Sequence, residues 1–198
     1  MTPDAWLPAL AAFALATSIT PGPNNLMLLA SGANFGLRRT VPHMLGVALG
    51  FVAMAVVLGA GLVRAFEAVW WLEPALKALS VAYMLWLAWK VARAAPPEEG
   101  ATAGRPLTFV QAALFQWVNP KAWAMATTAV TVYAPGEGIA AVLLVGAVFG
   151  AVNLPSVGVW AVAGTQLRRL LTDRRRLRAF NAGMAALLLA SLYPILAG

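Results

Sequence analysis

The chain contains no cysteine, a single histidine and only seven acidic residues among 198. The first absence excludes disulfides, thiolate metal ligands and thiol-redox chemistry. With one histidine and no Asp or Glu deep in an apolar run, a membrane metalloprotease would lack its clustered ligands. An aspartyl intramembrane protease would lack its carboxylate pair. No Gly-rich phosphate loop of the Walker type occurs, so the chain does not itself hydrolyse ATP. No catalytic residue, metal site or cofactor is expected. Charge of either sign is also scarce, at 11% of residues against about 25% in ordinary soluble domains.

Apolar residues make up 61% of the chain, and they come in runs. Residues 5–37, 44–63, 138–164 and 179–198 carry no Asp, Glu, Lys or Arg. About 20 such residues cross a bilayer, so the composition indicates an all-α integral membrane protein in one domain, 1–198. Six spans fit the runs and turn signals, near 6–30, 42–63, 70–92, 109–134, 138–163 and 179–197. Met1-Thr2-Pro3-Asp4 lacks a basic signal-peptide start, so the first helix is expected to persist in the mature protein. The net charge of +7 could suggest nucleic acid in a soluble protein. Here it sits in short loops and sets orientation, so no nucleic-acid partner is expected. Arg38, Arg39, Lys90, Arg93, Arg105, Arg168, Arg169, Arg174, Arg175, Arg176 and Arg178 fall in odd-numbered connections. The even-numbered ones hold one basic residue, Arg64 in the second, and the fourth holds only Glu137. The positive-inside bias puts the odd connections in the cytoplasm and both termini outside.

The stretch at about 94–107, with Pro96-Pro97-Glu98-Glu99, divides the chain into halves of about 1–95 and 106–198. Three spans per half force opposite orientations, so a repeat would be inverted. In each half the first span is interrupted by a proline after a capping residue: Thr20-Pro21-Gly22-Pro23-Asn24-Asn25 and Asn119-Pro120-Lys121. The second span of each half carries Gly-x-x-x-Gly, at Gly46/Gly50 and Gly146/Gly150, a spacing that lets helix backbones approach closely. A proline inside a helix costs roughly 3 kcal/mol or more, and hydrocarbon offers no water to the freed carbonyls. Such breaks persist where they line a cavity. Thr20 and Asn119 are good caps and Pro21 and Pro120 good first helical residues. Each break should therefore start a half-helix with free amides and partial positive charge, a place for a carboxylate. Lys121 adds a full charge, and Asn24 and Asn25 add amides. The alternative is a pair of kinks that only shape the bundle.

Lys121 is flanked by uncharged residues from 106 to 120 and from 122 to 136. It either lines the site or snorkels to the interface. Glu73 and Lys77, spaced i,i+4, read as an interfacial ion pair. His43 opens the second span beside Arg38 and Arg39; it reads as an interfacial histidine, with a proton-linked gate as the bolder role. Asn153, before Leu154-Pro155, either cross-links helices or lines a pathway. Trp70, Trp71, Trp86, Trp89 and Trp160 read as interface anchors or packing residues.

Thr20-Pro21-Gly22-Pro23-Asn24, then Gly36-Leu37-Arg38-Arg39 and Gly46-x-x-x-Gly50, resembles the N-terminal signature of the LysE/RhtB family of amino-acid exporters. Ala82 through Lys90 resembles the family's third span, and Phe115 through Asn119-Pro120-Lys121 its fourth. Asn24-Asn25 and Trp86-Leu87-Ala88-Trp89-Lys90 look most like the branch exporting cysteine and O-acetylserine. The resemblance implies six spans, the bacterial inner membrane and efflux of amino acids or close metabolites driven by proton exchange. His43 stands where the family often has a small residue. The expected activity is secondary active export of a small amino acid by alternating access. Thr20, Pro21, Gly22, Pro23, Asn24, Asn25, Asn119, Pro120, Lys121 and Asn153 would hold the substrate. Deep acidic residues are lacking, which favours neutral substrates. An ion or metal-resistance exporter of the same superfamily and a non-transporting membrane scaffold are the alternatives. A homo-oligomer is left open.

Overall fold

A computed structural model describes residues 6–62, 69, 71–94, 105–136, 138–171 and 173–193. The described residues form helices and turns with no strand: α1 Trp6–Ile19, α2 Pro23–Phe35, α3 Leu37–Val57, α4 Leu72–Ala92, α5 Phe109–Phe115, α6 Pro120–Val132, α7 Ile139–Arg168 and α8 Arg174–Ala190. Three stretches are long and apolar enough to cross a membrane: Leu37–Gly61, Pro74–Ala92 and Ile139–Arg168. Arg64, Trp70, Glu137, the Glu73 side chain and most of the 94–107 linker lie outside the described residues.

Helix boundaries differ from the sequence expectation in three places. The second half of the first broken helix begins at Pro23 rather than Pro21, because Gly22 takes the capping position in an extended conformation (φ 177°, ψ 176°). No loop separates the first broken helix from α3. Gly36 alone joins α2 to α3, at φ 78° and ψ 165°, a backbone open to glycine and strained for other residues. Arg38 and Arg39 therefore lie in the first turn of α3, with the Arg39 guanidinium 5.7 Å from the Phe35 ring centre. The last helix starts at Arg174, where the Asp173 carboxylate accepts from the Arg175 amide at 3.0 Å.

Lipid tails are as apolar as leucine, so helix association must come from close packing and interhelical hydrogen bonds. Small residues provide the packing. A Cβ at Gly32 would strike the Ala161 carbonyl, and one at Gly164 the Leu29 carbonyl, so α2 and α7 touch backbone to backbone. Gly46 and Gly50 of α3 lie against Phe109, Ala112 and Ala113 of α5 in the same way. Gly146 and Gly150 of α7 instead accommodate the Val52 side chain. Two apolar clusters result. One gathers Met84, Leu87, Phe115 and Leu188; the other gathers Leu10, Phe51, Met54 and Phe149, with the Phe51 and Phe149 rings stacked at 4.4 Å.

One end of the bundle collects the basic residues. Arg168, closing α7, comes within 3.2 Å of where a Gly36 side chain would start. Asn34 of α2 and Asn181 of α8 exchange amide hydrogen bonds at 2.8 and 3.1 Å, and Asn181 also donates to the Ala94 carbonyl beyond α4 at 2.7 Å.

Candidate functional site

Breaking a helix in an apolar bundle leaves carbonyls that need donors. At the first break each finds one. The Thr20 hydroxyl donates to the Thr17 carbonyl at 2.9 Å. The Asn25 amide donates to the carbonyls of Ser18 at 2.8 Å and Thr20 at 2.7 Å. The Trp160 indole N–H reaches the Ile19 carbonyl at 3.1 Å. The Lys121 ammonium donates to Thr20 O at 2.8 Å, Thr20 Oγ1 at 2.9 Å and Pro21 O at 3.3 Å. Three donors meet three acceptors, so the ammonium is saturated by the break itself. Gly22 makes this possible: a Cβ there would lie 2.8 Å from Lys121 Cδ.

The second break is built differently. Helix α5 opens on a capping box between Thr108 and Gln111 and ends in a 3₁₀ turn, Gln116–Val118. Asn119 then turns extended, and its side chain accepts from the Lys121 backbone amide at 3.2 Å, capping α6 with Pro120 in the first helical position. The Trp123 indole donates to the Trp117 carbonyl at 2.9 Å. The two helix starts are thus unequal: Asn119 caps α6, whereas no side chain caps α2.

Both breaks open on one cleft of about 340 Å³, lined by Gly22, Asn24, Asn25, Gln116, Asn119, Lys121 and Asn153. Phe51 and Met125 from one apolar cluster and Val157 from the other complete the wall. Asn24 and Gln116 bridge the breaks through paired amide bonds of 2.8 and 3.2 Å. Asn153 donates to the Ser18 hydroxyl at 3.0 Å, while its buried Oδ1 has no partner. A buried acceptor left unpaired costs about 1–3 kcal/mol, so this oxygen is a ready seat for a donor.

The structure brings Gly22, Asn24, Asn25, Asn119, Lys121 and Asn153 to the cleft wall, with Thr20 and Pro21 as the lysine's partners. Pro23 and Pro120 open helices α2 and α6 and do not line it. His43 is elsewhere: it lies in α3, 1% exposed, with neither ring nitrogen hydrogen-bonded. Gln116 was overlooked by sequence reasoning, though an amide between Phe115 and Trp117 in an uncharged run was a usable signal. Trp160 was read as an anchor or packing residue, but its indole closes the Ile19 carbonyl. Trp71 and Trp89 are exposed on the surface of the bundle.

The family model for LysE type translocators matches residues 15–191. The cysteine/O-acetylserine efflux protein of Escherichia coli strain K12 is 32% identical over 197 residues, covering 95% of each chain. Its counterpart in Escherichia coli O139:H28 is 32% identical with 96% of each chain covered, and that of Shigella flexneri is 32% identical with 92% of this chain and 93% of the relative covered. No solved structure matches.

Proposed function

Because the chain belongs to the LysE type translocators, we propose that it carries a small neutral amino acid, of the cysteine or O-acetylserine kind its relatives are named for, out through the cleft between its two broken helices. It is a multi-pass transporter of the bacterial inner membrane, of the amino-acid exporter class, and not an enzyme. The observation that carries the site assignment is the Lys121 ammonium, which reaches from the second break to the Thr20 and Pro21 oxygens of the first. In this reading the substrate carboxylate replaces those oxygens on Lys121 and takes the uncapped amides at the start of α2. Its ammonium pairs with Asn153 Oδ1. Asn25 holds the shape of the break rather than touching substrate.

This exchange supplies a two-state element. Without substrate, Lys121 ties α6 to the α1–α2 hinge. A bound carboxylate takes over the lysine and frees the hinge, a contact difference that lets substrate shift the balance between inward and outward states. The proposal includes six crossings, with α1–α2 and α5–α6 each forming one broken span, and two inverted halves, about 1–95 and 106–198. Helix α1 has 14 residues and α2 has 13. At 1.5 Å per residue each half-helix covers about 20 Å of a core roughly 30 Å thick, so only the pair can cross. Exchange against protons would drive export.

The test is efflux from cells expressing the chain, over a panel of cysteine, O-acetylserine, serine, lysine and arginine. Export of one or more neutral members with none of the dibasic ones is expected. Export confined to lysine and arginine would refute the neutral-zwitterion site.

A further inference from the structure

A second cleft, of about 380 Å³, opens at the basic end of the bundle. It is separate from the first: Asn24 begins α2 beside the breaks, and Asn34, which lines the second cleft, is about 15 Å further along at 1.5 Å per residue. Its chemistry differs as well. Lys90 near the end of α4 and Arg105 before α5 both line it, and its described lining has no Asp or Glu. The Lys90 ammonium lies 5.1 Å from the Trp86 ring centre, which places it against an aromatic face. His43 is part of the same wall, 99% buried and without a partner on either ring nitrogen. Neighbouring polar groups are otherwise engaged: Ser31 pairs with Thr40 at 2.9 Å, and Asn34 with Asn181.

The two cations of this lining favour a small anion, and the unpartnered imidazole offers it a hydrogen-bond donor. A metal ion is the wrong occupant, since one imidazole with two cations makes a poor ligand set. We propose that this cleft is a second, entry site for the carboxylate of the exported amino acid on the basic face of the membrane, with Lys90 and Arg105 as its cations and His43 as its hydrogen-bonding wall. The proposal rests on the amino-acid exporter reading but not on the Lys121 site. Carboxylates held here would be concentrated about 15 Å along α2 from the central cleft.

His43 is the only histidine in the chain, so its ring signals report this cleft alone. The experiment is NMR of protein labelled with ¹⁵N-histidine in neutral-lipid nanodiscs, titrated with acetate and with O-acetylserine against sodium chloride of equal ionic strength. Both carboxylates should shift the imidazole signals saturably, and O-acetylserine should do so equally in Lys121→Ala. The Lys90→Gln/Arg105→Gln pair should weaken the response by at least roughly one to two orders of magnitude, the size of one lost charge-assisted hydrogen bond, and Lys90→Arg should retain it. The Glu98→Gln/Glu99→Gln pair should retain it too; loss there would mean the cations serve the linker instead. No shift beyond the chloride blank, or a shift only when phosphatidylglycerol is added, would overturn the proposal. Failure of Lys121→Ala to lower export, with the imidazole response intact, would count against the central site alone.

Discussion

At the residue scale the site depends on which polar atoms are already satisfied. Asn25 donates both amide protons to hinge carbonyls and has none to spare, whereas Asn24 donates one to Gln116. Asn153 Oδ1 is free and buried. Replacing Asn153 with alanine should therefore weaken substrate binding at unchanged membrane abundance. A hydrogen bond to a charged group is worth about 1.5–3 kcal/mol, or roughly one to two decades of affinity. A binding titration on the purified variant checks this; unchanged affinity would move the ammonium elsewhere. Asn25→Ala should act differently, since it strips donors from the Ser18 and Thr20 carbonyls: thermal stability and abundance should fall first. The sequence singled out these asparagines as candidates but not the division of labour among them, because hydrogen-bond partners lie up to 135 residues away, as with Ser18 and Asn153.

At the element scale the helix breaks were legible because proline after a capping residue has few other readings. The register of the first was not. Pro21-Gly22-Pro23 offers two helix starts, and the choice of Pro23 depends on tertiary contacts that Lys121 and Trp160 make with the hinge. Similarly, Arg38 and Arg39 were read as a connection, whereas arginines in a first helical turn can keep their heads in water while the helix continues. The Gly-x-x-x-Gly spacings pointed to close packing at Gly46/Gly50, but the tightest contact is the Gly32–Gly164 crossing, which no short motif marks. Gly164→Val should force α7 off α2 at the Leu29 carbonyl. Overpacking of this kind costs typically about 1–3 kcal/mol, and the variant should show a lower melting temperature in detergent, with Gly183→Val, which faces open space, as the neutral control.

At the scale of the whole molecule the distribution of basic residues bears on orientation. The ends that carry Arg38, Arg93, Arg168 and Arg174 gather on one face of the bundle, and by positive-inside bias that face is expected to be cytoplasmic. Reporter fusions in the 94–107 linker should then report cytoplasm and fusions at the C-terminus the outside; a cytoplasmic C-terminus would remove the six-crossing arrangement and the inverted halves together. The membrane class was legible from composition because runs without charge on this scale have one solvent that suits them. The cleft was legible only as an expectation that two breaks would meet. The most direct measurement of whether they meet for a purpose is export of O-acetylserine by Lys121→Ala and Lys121→Arg in proteoliposomes at matched protein. The account predicts a fall of roughly one to two orders of magnitude in apparent affinity for the alanine variant, the worth of a charge-assisted hydrogen bond, and partial retention for arginine, which keeps the charge in another shape. Export by Lys121→Ala equal to the parent would contradict it.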